Sequence, residues 1–171
     1  MTVNAARRST GVLTLAMGMM MSLTSHASAD PTQYRYPDTS GYQPVLSVWI
    51  YKATDESGVW MTTPLGIRCA IEDDGSYGCS GPLAGVPAGE NEVAWFAGDP
   101  YPRLYRTDTP RFSANQGQAI VSESTFIDYH GSRCAVTYES AVYCKHNNDP
   151  NSQMMVTSAT VLRGADASPA L

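Results

Sequence analysis

The feature that most constrains this chain is a short phrase that occurs twice. Gly66-Ile67-Arg68-Cys69-Ala70-Ile71 returns as Gly131-Ser132-Arg133-Cys134-Ala135-Val136. Each copy is closed by a second cysteine after nine intervening residues, Cys79 and Cys144, and these four are all the cysteines in the chain. A fold must therefore accept the same small stapled unit at two places. The period of 65 residues is that of duplication within one fold, not of a solenoid.

In the first unit, 68–72 and 76–79 flank Asp73-Asp74-Gly75. A three-residue hairpin loop ending in glycine suits a type I turn followed by a left-handed residue. That register sets Cys69 opposite Cys79 and Ile71 opposite Tyr77. In the second unit, 133–137 and 141–145 flank Tyr138-Glu139-Ser140, a loop without glycine. Four cysteines allow three pairings. The hairpin register favours Cys69–Cys79 and Cys134–Cys144, each removing about 2–3 kcal/mol of unfolded-state freedom. Zinc is the competing use, but structural zinc sites want close pairs such as C-x2-C, whereas both spacings here are C-x9-C and the nearest histidine is His146. No metal and no cofactor is expected.

Residues 1–29 read as a secretory signal: Arg7 and Arg8, an apolar run from Val12 to Leu23, then Ala27-Ser28-Ala29 as a small-x-small cleavage site. The apolar run falls short of the ~20 residues of a membrane-spanning helix. Cleavage after Ala29 leaves a chain starting at Asp30, with nine Lys and Arg against sixteen Asp and Glu, a formal charge of −7. Such a surface repels polyanions, which argues against nucleic acid as a partner. No later segment is apolar enough to span a membrane, so the expected location is secreted or associated with the cell envelope, where disulfides persist.

Residues 30–44, rich in Pro, Tyr and small polar residues, read as an extended arm or linker, with Tyr34, Tyr36 and Tyr42 available to dock. From 45 to 163 the texture is that of one β-rich domain. Strands are expected at 45–51, 59–63, 91–96, 104–105 and 119–121, besides the two hairpins, with a closing strand over 154–162. Residues 80–90 form a Gly/Pro-rich loop, and 164–171 a flexible tail. No stretch carries a sustained helical period with caps. The expected fold is all-β: a small disulfide-stapled antiparallel sandwich or barrel-like domain with two related hairpins.

Trp60-Met61-Thr62-Thr63-Pro64-Leu65-Gly66-Ile67-Arg68-Cys69 resembles an aromatic-x-(Ser/Thr)-Pro-x-Gly-x-x-Cys phrase of small exported actinobacterial, especially mycobacterial, two-disulfide proteins. Those proteins continue with a second cysteine after a hairpin, a Gly/Pro loop like 81–89, and a second half carrying Gly-x-x-Cys, as in 131–144. Thr62 is an extra residue in that phrase, and Met154-Met155 stands where Gly-Phe is usual. The resemblance covers roughly 45–161 and implies export and this fold. The group has no established activity, so it implies no mechanism.

Nucleophilic catalysis needs a base oriented beside the nucleophile. Beyond the signal the histidines are His130 and His146. Asp128 and His130 can share one face of a strand, with Ser122, Ser124 or Ser132 as a nucleophile, but no G-x-S-x-G elbow places any of them. The simpler reading of 128–132 is a surface loop. Glu72-Asp73-Asp74 lies at a hairpin tip, where Asp belongs for turn reasons, and lacks calcium-loop spacing. Glu90 and Glu92 form a second acidic pair. Lys145-His146-Asn147-Asn148-Asp149 before Pro150 reads as a turn. Arg68 and Arg133, each beside the first cysteine of its unit, are either a paired anion clamp or surface residues pairing with local carboxylates. The ten tyrosines are either contact surface or filling for core edges.

The expected function is a non-catalytic binding module at or outside the envelope, with no catalytic residue assigned and an unidentified protein, wall glycan or lipid head group as partner. The alternatives are an exported hydrolase using His130, or a partner or inhibitor of an exported enzyme that offers the 80–90 loop.

Overall fold

A computed structural model describes residues 35–169. The expected export signal, Tyr34 and residues 170–171 lie outside the described residues. Alternating apolar side chains and frequent turn residues lay the chain out as short strands with two 3-10 turns, Val48–Tyr51 and Pro150–Ser152. The first half gives β2 (Val59–Thr62), β3 (Arg68–Ile71), β4 (Tyr77–Ser80), β5 (Glu92–Trp95) and β6 (Arg103–Tyr105). The second gives β8 (Thr125–Tyr129), β9 (Ser132–Val136), β10 (Val142–His146), β11 (Met154–Val156), β12 (Val161–Arg163) and β13 (Ser168–Pro169). Each half is an antiparallel meander. Two further short strands lead the halves: β1 (Gln43–Pro44) and β7 (Ala119–Ile120).

The leading strands are exchanged. β1 precedes the first half yet pairs in parallel with β8, and Val45 N–H extends the pairing to the Phe126 carbonyl at 2.9 Å. β7 precedes the second half yet pairs in parallel with β2, and Val121 N–H reaches the Thr62 carbonyl at 2.9 Å. The two sheets thus run β6-β5-β4-β3-β2-β7 and β1-β8-β9-β10-β11-β12-β13. They pack face to face without closing into a barrel, and their inward side chains form one core.

Both hairpins have the expected register. Cys69 faces Cys79 and Ile71 faces Tyr77, while Cys134 faces Cys144. Disulfides join both cysteine pairs, with Cα atoms 4.0 and 4.1 Å apart. All four sulfurs lie in the shared core. The two loops share one conformation: Gly75 has φ 84°, and Ser140, at the matching place, has φ 60°. Each left-handed residue donates its N–H back three residues, Gly75 to Glu72 and Ser140 to Thr137. Serine thus occupies a position that favours glycine.

Within 164–171, expected as a flexible tail, Ser168–Pro169 pairs with β12 as β13 and Ala167 is buried. Three other segments differ from expectation for local reasons. The run 45–51 is not a strand: β1 ends at Pro44, and Val45 adds one further backbone bond. Val45, Val48 and Tyr51 reach the core at intervals of three, the period of a 3-10 turn, which leaves Leu46, Trp49 and Ile50 exposed. Of the surface loop expected over 128–132, Asp128 and Tyr129 belong to β8 and Ser132 begins β9, which leaves His130-Gly131 as the turn; no strand was expected at 125–127. The 154–162 run is broken at 157–160, where Thr157 Oγ1 accepts the N–H groups of Ala159 and Thr160 at 3.1 and 2.9 Å and turns the chain.

The described part of the 30–44 segment lies on the outer side of the second sheet. Tyr36 donates to the Gly164 carbonyl at 2.8 Å and packs on the Tyr143 ring. Tyr42 is buried with Phe126 and Ala135. Most of the described tyrosines therefore fill core edges, and Tyr101 and Tyr138 stay exposed. Burial pushes the Tyr143 phenol up to about 12 and raises Tyr36, Tyr77 and Tyr105 above the ordinary range. In the unfolded chain these phenols ionise near ~10. Their contribution to stability is complete below that pH and is lost as pH rises through the folded values. The denaturant midpoint should stay level to about pH 9.5 and fall above about pH 10, with tyrosinate absorbance lagging that of the unfolded chain. A midpoint that stays level above that range would contradict the burial of these rings.

Candidate functional site

The candidate site is built on the outer side of the first sheet. Alternation along β5 sends Val93 and Trp95 into the core and turns Glu92 and Ala94 outward. Small side chains on neighbouring strands, Ala70, Gly78 and Ala94, leave a shallow trough. The segment 106–118 crosses it and sinks Phe112 there. Phe112 is fully buried, and a Cβ on Gly78 would lie 2.2 Å from its ring, so glycine is required by space.

A buried carboxylate fastens that segment. Glu92 is fully buried, and its oxygens accept from Ser80 Oγ, the Tyr105 hydroxyl and the Arg111 N–H. Ser80 Oγ also accepts the Phe112 N–H at 3.0 Å. Burying a carboxylate is tolerated where donors replace water, as here. Burial first, and then the bond to Glu92, push the Tyr105 phenol above its ordinary range.

Above Glu92 opens a cleft of about 730 Å3, walled by Phe96, Tyr101, Arg103, Tyr105, Arg111 and Arg163 among others. The guanidinium groups of Arg103 and Arg111 lie 4.8 and 4.9 Å from the Phe96 ring centre. Arg103 Nε donates to Asp99 at 2.8 Å. Arg111 holds Glu72 through two bonds of 2.7 Å, and that carboxylate raises its pKa. Arg163 comes from β12 in the other sheet, and its Nη1 reaches the Pro102 carbonyl at 3.2 Å. Its Nε is buried with no acceptor among the described residues. A second cavity of about 290 Å3 adjoins, sharing Tyr101 and Arg163 as walls.

The residues singled out from the sequence lie elsewhere, apart from Glu92 and Glu72. His130 is exposed at the turn between β8 and β9, edge-on to Tyr129. Asp128 is held by Arg133 through bonds of 2.6 and 2.7 Å, and the bonded serine is placed by His146 instead. Ser132 Oγ donates to the Gly75 carbonyl and so accepts from His146 Nδ1 at 2.8 Å. His146 Nε2 then accepts from Asn147 Nδ2 at 2.8 Å. The Ser132 hydroxyl is thus directed at a backbone carbonyl and not at His146. The trio ties the first hairpin's turn to the second hairpin, with His146 stacked on Trp95. Ser122 and Ser124 lie in the turn leading into β8, where Ser122 gives its carbonyl to Thr125 Oγ1 at 2.6 Å.

Arg68 and Arg133 point away from their buried cysteine neighbours, each on the outer side of its own sheet, and do not form a clamp. Arg68 bonds Ser113 Oγ at 2.6 Å. Asp73 accepts from the Tyr129 hydroxyl with Lys52 3.9 Å away, which lowers its pKa in that order. Asp74 accepts the Ser76 N–H, and Asp149 caps the 3-10 turn at Asn151. The 80–90 loop is docked: Leu83 and Val86 pack on the core, and a Cβ on Gly85 would meet the Ala159 carbonyl at 2.6 Å. Among the described residues no cluster of three His, Cys, Asp or Glu is set to hold a metal, and no helix is long and apolar enough to cross a membrane.

The fold and site define an all-β, two-sheet domain stapled through its core, with an arginine-walled cleft on one outer side. Two buried disulfides go with an oxidising, extracytoplasmic setting. No family model, curated protein or solved structure matches the chain.

Proposed function

We propose that this is an exported binding module that acts at or outside the cell envelope and contacts its partner through the arginine-walled cleft. The observation that carries the reading is the lining of the cleft. Arginine and tyrosine supply planar donors and half-polar area, the groups that recognise a partner. They are presented on a base fixed by Glu92 and Phe112. The apolar start of the chain and its small-residue cleavage phrase support export.

The test is capture from envelope extract by the immobilised, oxidised protein, beside a Tyr101→Ala/Arg103→Ala variant and the reduced form. The native protein should retain a partner that the variant and the reduced form lose. A partner held equally by the variant would refute the cleft as the contact. No retained partner at all would refute the binding-module reading.

A further inference from the structure

The cleft has a direction. β6 is the terminal strand of its sheet, paired on one side with β5. Terminal strands present main-chain groups that an extended segment can pair with. Arg103, Leu104 and Tyr105 of this strand all line the cleft. The neighbouring cavity continues it past Tyr101 and Arg163, so the trough is longer than a small ion needs.

The cleft also has a vacant charge. Arg103 and Arg111 are engaged by Asp99 and Glu72, whereas Arg163 has no carboxylate partner among the described residues. Its buried Nε–H lacks an acceptor. A buried donor without a partner calls for an explanation, and an acceptor carried by a ligand supplies one. The net charge of −5 opposes densely charged polyanions. An occupant with one or two carboxylates among apolar residues fits these terms better than an anionic glycan.

Resting on the binding-module reading, we infer that the cleft takes an extended peptide segment, laid along β6, with an acidic side chain on Arg163. The experiment uses the protein purified after export, titrated with a blocked Thr-Val-Glu-Val-Thr peptide, its Gln counterpart and a short oligouronate, and followed by amide NMR shifts. The Glu peptide should bind about tenfold more tightly than the Gln peptide, as one charge-assisted hydrogen bond allows. Shifts should centre on the amides of 103–105. Arg163→Gln should equalise the two peptides, and Arg163→Lys, which keeps the charge, should retain part of the preference.

Equal affinities in the native protein, a Glu preference that survives Arg163→Gln, or shifts away from β6 would each overturn the inference. So would binding of the oligouronate in place of both peptides. Cleft-dependent capture with no peptide binding would reject the peptide occupant and leave the binding module standing. Capture that ignores the cleft would reject the reading beneath both.

Discussion

Replacing Cys69 and Cys79 together by alanine is expected to lower stability by about 3–5 kcal/mol and the melting temperature by on the order of 10 °C. The staple closes a loop with a sequence separation of 10, worth about 3 kcal/mol of unfolded-state freedom. The remainder comes from the core. Both sulfurs are fully buried between the sheets, so alanine leaves an unfilled space there. Denaturant unfolding of the oxidised double variant against the native protein measures the loss. A loss below about 1 kcal/mol would mean that the hairpin register alone, without its staple, constrains the chain.

Phe112→Ala should cost about 3–5 kcal/mol and, unlike loss of a disulfide, should act on one outer surface. The ring is the anchor of segment 106–118, and it fills the space left by Gly78. Without it the segment loses its hold on the sheet, and Glu92 loses the Arg111 N–H that accompanies it. Arg111 would then leave the cleft wall. Limited proteolysis should cut near 106–111 well before the rest of the domain, and partner capture should fall in step. Gly78→Ala should reproduce this behaviour, because its added carbon would occupy the place of the ring. Unchanged proteolysis in both variants would contradict the anchoring role.

Local features were the legible ones. A three-residue loop and two cysteines at matched distances determine a hairpin register whatever surrounds it, so both staples could be placed without a structure. Where a residue's role depends on a distant surface, the sequence was silent. The run 45–51 has strand composition, yet the core needs a side chain from it every third residue. β8 gives the core little beyond Ile127, too short an alternation to announce a strand. The cleft draws Arg103 and Arg111 from one half and Arg163 from the other, joined by the meeting of two sheets. One signal was present and unused: Arg103, Arg106 and Arg111 crowd together in an otherwise acidic chain. Glu92 was visible as an acid, but nothing nearby marked it as the buried fastening of a loop whose donors come from Ser80, Tyr105 and Arg111.

The exchange of leading strands bears on the order in which the protein can be completed as it emerges end first. Each disulfide joins residues close in the chain, so either hairpin can close as soon as it appears. β1 emerges early, but its partner β8 belongs to the later half. β1 therefore waits for the second half. Contacts so distant along the chain slow folding, and they keep the first half from maturing alone. A chain crossing a membrane as a thread would reach its final form only after nearly all of it had arrived.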